Sequence, residues 1–321
     1  MTTGLVTVFG GSGFVGRHLV RALAKAGWRV RVAVRRPDLA GHLQPLGGVG
    51  QIHAVQANVR YRDSVERAVQ GADAVVNLVG ILNESGRQKF SSVQAQGARF
   101  IGEAAAKAGI ANVVHVSAIA ADPNAASEYA RSKAAGEAAM LAACPQVVIM
   151  RASLIFGPED GFFNKFAEMA RFSPVLPLIG GGETKFQPVY VGDVASAVVK
   201  ALDGEAKPGA IYELGGPEVL SFKQLMEYTL AVTNRSRPLV NLPFPLARLQ
   251  AGVLECLPGS LLTVDQVTLL KSDSVVSAEA QKDGRTLAGL GLNPASVEAV
   301  VPSYLYRFRK HGQFERVGVR S

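Results

Sequence analysis

The stretch Leu5-Val6-Thr7-Val8-Phe9-Gly10-Gly11-Ser12-Gly13-Phe14-Val15-Gly16 decides the fold. Its first five residues are apolar apart from Thr7, as a strand buried on both faces requires. Glycines then recur at GxxGxxG spacing, Gly10, Gly13 and Gly16, and the chain passes into helical spacing with Val15, Leu19, Leu23 and Ala26 before a stop at Gly27. Gly10 permits a tight turn, Gly13 lets the backbone approach a pyrophosphate, and Gly16 lets the helix pack close on the strand. The helix N-terminus then faces the phosphates. Elsewhere such glycines are only a turn; between a strand and a helix they read as a dinucleotide-binding loop, completed by Ser12, Phe14 and Val15.

The same alternation continues outward. Trp28–Val34, Gln51–Val55, Ala74–Val79, Asn112–Ser117 and Gln146–Arg151 have strand character, and helical patterns lie at 62–70, 88–108 and 128–143. In 88–108 the inward positions are Phe90, Val93, Gly97, Ile101, Ala104 and Ala108. This order predicts an α/β fold, a Rossmann-type doubly wound parallel sheet with helices on both faces. After Arg151 the texture changes, with Gly157-Pro158, Gly180-Gly181-Gly182 and Gly215-Gly216-Pro217 breaking the chain into shorter pieces. The expected organisation is a nucleotide-binding domain over 1–155 and a smaller C-terminal α/β region over 156–321 at the carboxyl edge of the sheet, with part of 185–215 returning to it.

Composition narrows the function. Of 321 residues 48% are hydrophobic and 19% charged, which suits a globular chain and excludes disorder as its main state. The net charge of +8 admits anionic partners, but aromatics at 7% are sparse for a nucleic-acid stacking surface, and no nucleic-acid partner is expected. Cys144 and Cys256 have no CxxC spacing and read as apolar fillers in a reducing compartment; His18, His42, His53, His115 and His311 form no ligand cluster, so no metal is expected. No apolar run is long enough to span a bilayer, and residues 4–16 lack the flanks of a signal peptide. Leu246–Leu270 is rich in Leu and Val and fits either an amphipathic surface or a helix pair covering a pocket. From Ser303 onward Arg307, Arg309, Lys310, Arg316 and Arg320 face one acid, Glu315, in a basic tail suited to a solvated end or to peripheral membrane contact.

The end of the second strand bears on nucleotide choice. An NAD-binding chain usually offers a carboxylate to the ribose there; this chain has Val34-Arg35-Arg36, with Arg35 19 residues after Gly16. A carboxylate would repel a 2′-phosphate, whereas guanidinium can pair with it, so NADP(H) is expected ahead of NAD(H). Asn58, after the third strand, is placed either to contact adenine or to cap its own turn. Leu78 and Gly80, beyond the fourth strand, are further cofactor candidates. Tyr129-Ala130-Arg131-Ser132-Lys133 puts a phenol and an ammonium on one helical face. The ammonium is expected to lower the phenol's pKa and to hold the ribose, so that Tyr129 exchanges a proton with a carbonyl or carbinol oxygen. Ser117, 12 residues earlier at the end of the fifth strand, supplies an orienting hydroxyl. His115, inside that strand, reads as structural.

The glycine loop, Ser117, the Tyr129/Lys133 pair and the strand order resemble the short-chain dehydrogenase/reductase superfamily in its extended or atypical branch. Met150-Arg151-Ala152-Ser153…Phe156-Gly157-Pro158, Gln187–Ala195 and Tyr212–Pro217 continue the likeness over nearly the whole chain; in the family these segments line the nicotinamide end and the mouth of the substrate pocket. His115–Ala118, Tyr129–Glu137, Leu262–Val267 with Leu270–Asp273, and Tyr304–Phe314 are similar to one atypical group, that of the NADPH-binding alpha-subcomplex accessory subunit of respiratory complex I and its bacterial relatives. The resemblance implies a tightly kept nucleotide without turnover and association with complex I or a related membrane-associated assembly. It also implies a location that is cytoplasmic, or peripheral on the inner membrane, or on the matrix side of a mitochondrion.

Two departures qualify this. The fourth catalytic member of the extended family is an Asn in the long helix, and this chain has Gln94 there; the Pro expected after Arg151 is Ala152. The alternative to an accessory protein is a working NADP(H)-dependent oxidoreductase, or an epimerase or dehydratase, on an apolar carbonyl, a quinone-like molecule or a sugar nucleotide. Leu154, Ile155, Phe156, Phe162, Phe163 and Phe166 are expected to line an apolar pocket for it. A third reading is an NADP(H) sensor with a protein partner.

Overall fold

A computed structural model describes residues 4–255 and 262–310. The chain divides into two compact units, the first made of Met1–Ala152, Val191–Leu214 and Val276–Asn293 and the second of the rest.

In the first unit β1 (Leu5–Phe9), β2 (Arg29–Val34), β3 (Ile52–Gln56), β4 (Ala74–Asn77), β5 (Asn112–Ala118) and β6 (Val148–Ala152) join a seventh strand, Ile211–Leu214. All pairings are parallel, and the spatial order is seventh strand, β6, β5, β4, β1, β2, β3. Val6, Val8, Val32, Val75, Val76 and Val114 are buried, as both-face coverage demands. α1 (Phe14–Lys25) packs with the helix Val191–Leu202, while α3 (Gln96–Lys107) packs with both α2 (Arg62–Val69) and α4 (Glu128–Ala143). The chain order reverses between β1 and β4. A ligand crevice opens at the carboxyl ends of strands at such a switch point.

The helical pattern over 88–108 resolves differently. Residues Ser91–Ala95 form a π-helical turn before α3 begins at Gln96. Phe90, Val93, Gly97, Ile101 and Ala104 face inward as expected, but Ala108 is exposed as the C-cap of α3. The wide turn also brings Gln94 inside. The expected 1–155 domain takes no account of 276–293, which returns to the first unit: Arg285 gives its carbonyl to Glu213 N at 2.9 Å and its Nη1 to Ile211 O at 2.9 Å.

The second unit has its own apolar clusters. Phe156, Phe163, Leu225, Val301 and Leu305 are fully buried in one of them. Asp160 anchors this region: its carboxylate accepts from the backbone N–H groups of Gly157, Phe162 and Asn164 and from the Tyr304 hydroxyl at 2.5 Å. The Leu262–Asp273 segment is structural in character: Thr263 and Gln266 form a capping box on the helix Val264–Leu269, Thr184 donates its hydroxyl to Leu270 O, and Asp273 accepts from Lys185 N at 2.8 Å. Gln187 donates to Gly216 O at 2.8 Å, so two of the later sequence motifs meet. The helix Phe244–Leu254 buries Ala247 and Ala251 and leaves Leu246, Leu249 and Val253 exposed. It pairs with Val264–Leu269, and a groove of about 600 Å³ lies beside it between Leu249, Val253 and Val264. Cys256, His311, Arg316 and Arg320, with the tail beyond Lys310, lie outside the described residues.

Candidate active site and nucleotide crevice

The glycine loop occupies the switch point. Gly10 has φ +80°, and a Cβ there would lie 3.3 Å from the backbone of Leu78 and Val79 beyond β4. At Gly16 a Cβ would meet Gly10 O and Gly11 at 2.5 Å, which is closer than rigid backbone tolerates. The loop is therefore pinned between β1, β4 and α1. The first turn of α1 carries no acid, so nothing in it neutralises the amide dipoles that face the crevice. This cradle fits a dinucleotide pyrophosphate.

The catalytic candidates converge on the same edge. Ser127 caps α4 by accepting from Ala130 N. Lys133, buried one turn further on, donates Nζ to Val116 O at 3.0 Å. A Cβ on Gly80 would lie 3.9 Å from that Nζ, so Gly80 and Lys133 face each other. Ser117, next to Val116 on β5, is buried, and its Oγ has no hydrogen-bond partner. Tyr129 is half-buried with its ring edge-on to Phe90 at 6.1 Å.

The protonation pattern departs from expectation. Burial pushes the Tyr129 phenol up to about 12 rather than down. Burial also lowers Lys133 to about 8, against the opposing pull of Glu137. The reason is geometric: the Lys133 hydrogen bond goes to a strand carbonyl, and desolvation disfavours the charged form of both groups. Glu137 is itself buried and clamped by Arg151, whose Nε and Nη2 reach its two oxygens at 3.0 and 2.6 Å.

Gln94 sits behind the pair. Its Nε2 donates to Ile81 O at 2.8 Å, while its Oε1 is buried without a partner. Its backbone carbonyl lies 2.8 Å from where a Cβ on Gly136 would stand, so Gly136 is what lets α4 approach the π-turn. His115 is buried and shares a 3.0 Å hydrogen bond between its Nδ1 and Asn77 Nδ2, with Asn77 directly across the sheet register. Sequence reading left this Asn77 unremarked.

At the adenosine end the candidates separate. Arg36 forks on Asp38, Nε at 3.0 Å and Nη2 at 2.7 Å. Arg35 instead donates Nη1 to Gln88 Oε1 at 2.7 Å. Asn58 turns its Oδ1 onto the backbone N–H of Arg60 at 3.2 Å, the turn-capping geometry. Phe156 and Phe163, expected to line a pocket, are fully buried core of the second unit, and Phe162 and Phe166 stack edge-on at 4.9 Å with Phe222 beside them. Close aromatic packing takes up the apolar surface that an open lining would need. Cys144 is buried, as its reading as an apolar filler requires. Among the described residues no His, Cys, Asp or Glu group is arranged to hold a metal, and no helix is long and apolar enough to cross a membrane.

The profile of the NAD dependent epimerase/dehydratase family matches residues 6–215. The chain is 35% identical over 320 residues to the mitochondrial NADH dehydrogenase [ubiquinone] 1 alpha subcomplex subunit 9 of Arabidopsis thaliana, covering 96% of this chain and 79% of that protein. It is 36% identical over 196 residues to ceramide reductase of Caulobacter vibrioides, covering 61% and 60%. Its fold matches the dTDP-glucose 4,6-dehydratase DesIV of Streptomyces venezuelae, solved with NAD bound, with a TM-score of 0.70 at 20% identity over 95% of this chain and 96% of that one. With a glycine cradle at the switch point of a parallel sheet and a Ser, Tyr and Lys set along its edge, the chain belongs to the NAD-dependent epimerase/dehydratase family of extended short-chain dehydrogenases/reductases, in the company of complex I alpha-subcomplex subunits.

Proposed function

We propose that this protein holds NADP(H) in the crevice of its first unit and serves as a nucleotide-retaining accessory subunit of the complex I type. The observation that carries the reading is the likeness to the complex I alpha subcomplex subunit 9, which extends over 96% of this chain. Lys133, buried and tied to Val116 O, is placed as a fixed anchor beside the crevice. When bound, the dinucleotide would supply hydride chemistry; Gly10, Gly13 and Gly16 would receive its pyrophosphate and Lys133 its ribose hydroxyls. Choice of NADP(H) over NAD(H) is supported by the absence of a carboxylate among Val34-Arg35-Arg36. Association with a membrane-bound assembly is supported by the likeness to complex I subunits and by the exposed Leu246, Leu249 and Val253 beside Arg248.

The test is nucleotide release from protein purified without added cofactor, together with NADPH oxidation over a panel of quinones and carbonyls. Stoichiometric, non-exchanging NADP(H) without turnover is expected. A second reading, a reductase of an apolar carbonyl, is favoured by the unpartnered Ser117 hydroxyl and by the likeness to ceramide reductase. Substrate-dependent NADPH loss that Tyr129→Phe abolishes would establish it in place of the first.

A further inference from the structure

The loop between β4 and the π-turn is a strap over the outer strands of the first unit. Ser85 and Gln88 pair with each other, Ser85 N to Gln88 O at 3.1 Å and the reverse at 2.9 Å, and Gly86 takes φ +52° at the tip. The root of the strap is set by Glu84, whose carboxylate accepts from Phe90 N at 2.7 Å and Lys89 Nζ at 2.9 Å. Two consecutive strap residues receive the two neighbouring arginines. Arg60, just beyond β3, donates Nη1 to Arg87 O at 3.0 Å, and Arg35, at the end of β2, donates Nη1 to the Gln88 side chain.

The partners of these cations differ in charge. Arg36 is neutralised by Asp38. Among the described residues no carboxylate pairs with Arg35 or Arg60; their acceptors are neutral oxygens. Glu84, the one acid of the strap, is occupied by Lys89 and Phe90 N. A neutral acceptor takes one N–H of a guanidinium and leaves its charge and remaining donors for an anion, whereas a carboxylate would take the fork and the charge together.

We propose that Gln88 is a specificity-determining residue for the nucleotide, holding Arg35 in place at the carboxyl end of β2 through a neutral amide so that its charge stays available to a 2′-phosphate on the adenosine ribose. This rests on the NADP(H) reading above. Arg35, and not Arg36, is then the phosphate partner, with Arg60, held against the same strap, adding a second uncompensated charge.

The test compares wild type, Gln88→Glu, Gln88→Ala and Arg35→Ala in the full chain. The probes are adenosine 2′,5′-bisphosphate and AMP, titrated calorimetrically, together with the ratio of NADP to NAD released on denaturation, which serves where the bound nucleotide does not exchange. Gln88→Glu is expected to weaken the bisphosphate about tenfold or more and to leave AMP within about twofold, because a carboxylate would pair with Arg35 and repel phosphate. Gln88→Ala, which releases the Arg35 guanidinium, is expected to lower the preference about fivefold, and a preference unchanged in Gln88→Ala refutes the holding role; Arg35→Ala abolishes the preference, and Gln88→Glu placed on Arg35→Ala changes it no further. A wild type that binds both probes equally refutes the NADP(H) reading itself. A wild type that prefers the bisphosphate while Gln88→Glu keeps that preference refutes only the role of Gln88. Equal weakening of both probes by Gln88→Glu also overturns it, since that marks the strap as merely structural.

Discussion

His115→Gln is expected to make the first unit more resistant to acid. Burial, and after it the Lys133 ammonium, push the imidazole from 6.5 down to about 3. The folded value lies below the unfolded one, so the contribution of a neutral His115 is complete above pH 6.5 and is lost as pH falls toward 3. At pH 4 the unfolded chain binds a proton there and the folded chain does not. Each unit of that window costs about 1.4 kcal/mol, so lowering pH from 6.5 to 4 removes about 3 kcal/mol, a sizeable share of an ordinary domain's stability. Glutamine keeps an acceptor for Asn77 Nδ2 but does not titrate. Urea unfolding followed by the fluorescence of Trp28, the single tryptophan and part of the same unit, reads the effect where His115 lies. The wild-type curve should fall more steeply with acid than the variant's, the gap opening by about 3 kcal/mol between pH 6.5 and 4. Parallel curves would mean that the imidazole is not held neutral, and the reasoning from burial would be wrong.

Three further outcomes are expected. Gly16→Ala places a methyl 2.5 Å from the backbone of Gly10 and Gly11, so it should cost about 3 kcal/mol in urea unfolding and reduce the nucleotide recovered per chain. Glu137→Gln leaves the Arg151 guanidinium without its buried carboxylate and should destabilise by about 3 kcal/mol, with the loss recovered in part by Arg151→Met in the same chain. Tyr304→Phe removes a buried donor to Asp160 and should lower the thermal midpoint, consistent with a loss of about 1–3 kcal/mol.

The parts of the molecule legible in sequence are those fixed by local periodicity. Val6, Val8, Val75 and Val76 announce fully covered strands, and Gly10, Gly13 and Gly16 announce the loop that follows, because each needs only its neighbours in the chain. What escapes depends on register or on partners far away. Asn77 and His115 are adjacent only because β4 and β5 pair in one register. The π-turn adds a residue without disturbing the apolar spacing of Phe90, Val93, Gly97 and Ile101, so a helical reading passes straight through it. Phe156 and Phe163 look like pocket lining until their packing against the C-terminal residues Leu305 and Phe308 is known. Arg35 and Arg36 are indistinguishable as letters, and only Asp38 and Gln88 tell them apart.

The chemistry of Lys133 links the two functional readings. In the sequence Lys133 is a partner that lowers a phenol's pKa. In the structure it is a buried cation whose charge is disfavoured by desolvation, sustained by Glu137 and bound to a strand carbonyl. A buried ammonium of this kind is offset by any set of oxygens that comes to share it, and the hydroxyls of a nucleotide ribose are such a set. Nucleotide binding alone therefore gives the fold a reason to keep Lys133, independent of proton transfer. In the proton-exchange reading it is Tyr129 and the buried, unpartnered Ser117 hydroxyl that meet the reacting oxygen. They, rather than Lys133, are the residues whose replacement separates an accessory subunit from an enzyme: a holder of nucleotide tolerates Ser117→Ala and Tyr129→Phe with its bound NADP(H) intact, whereas a reductase loses turnover with either.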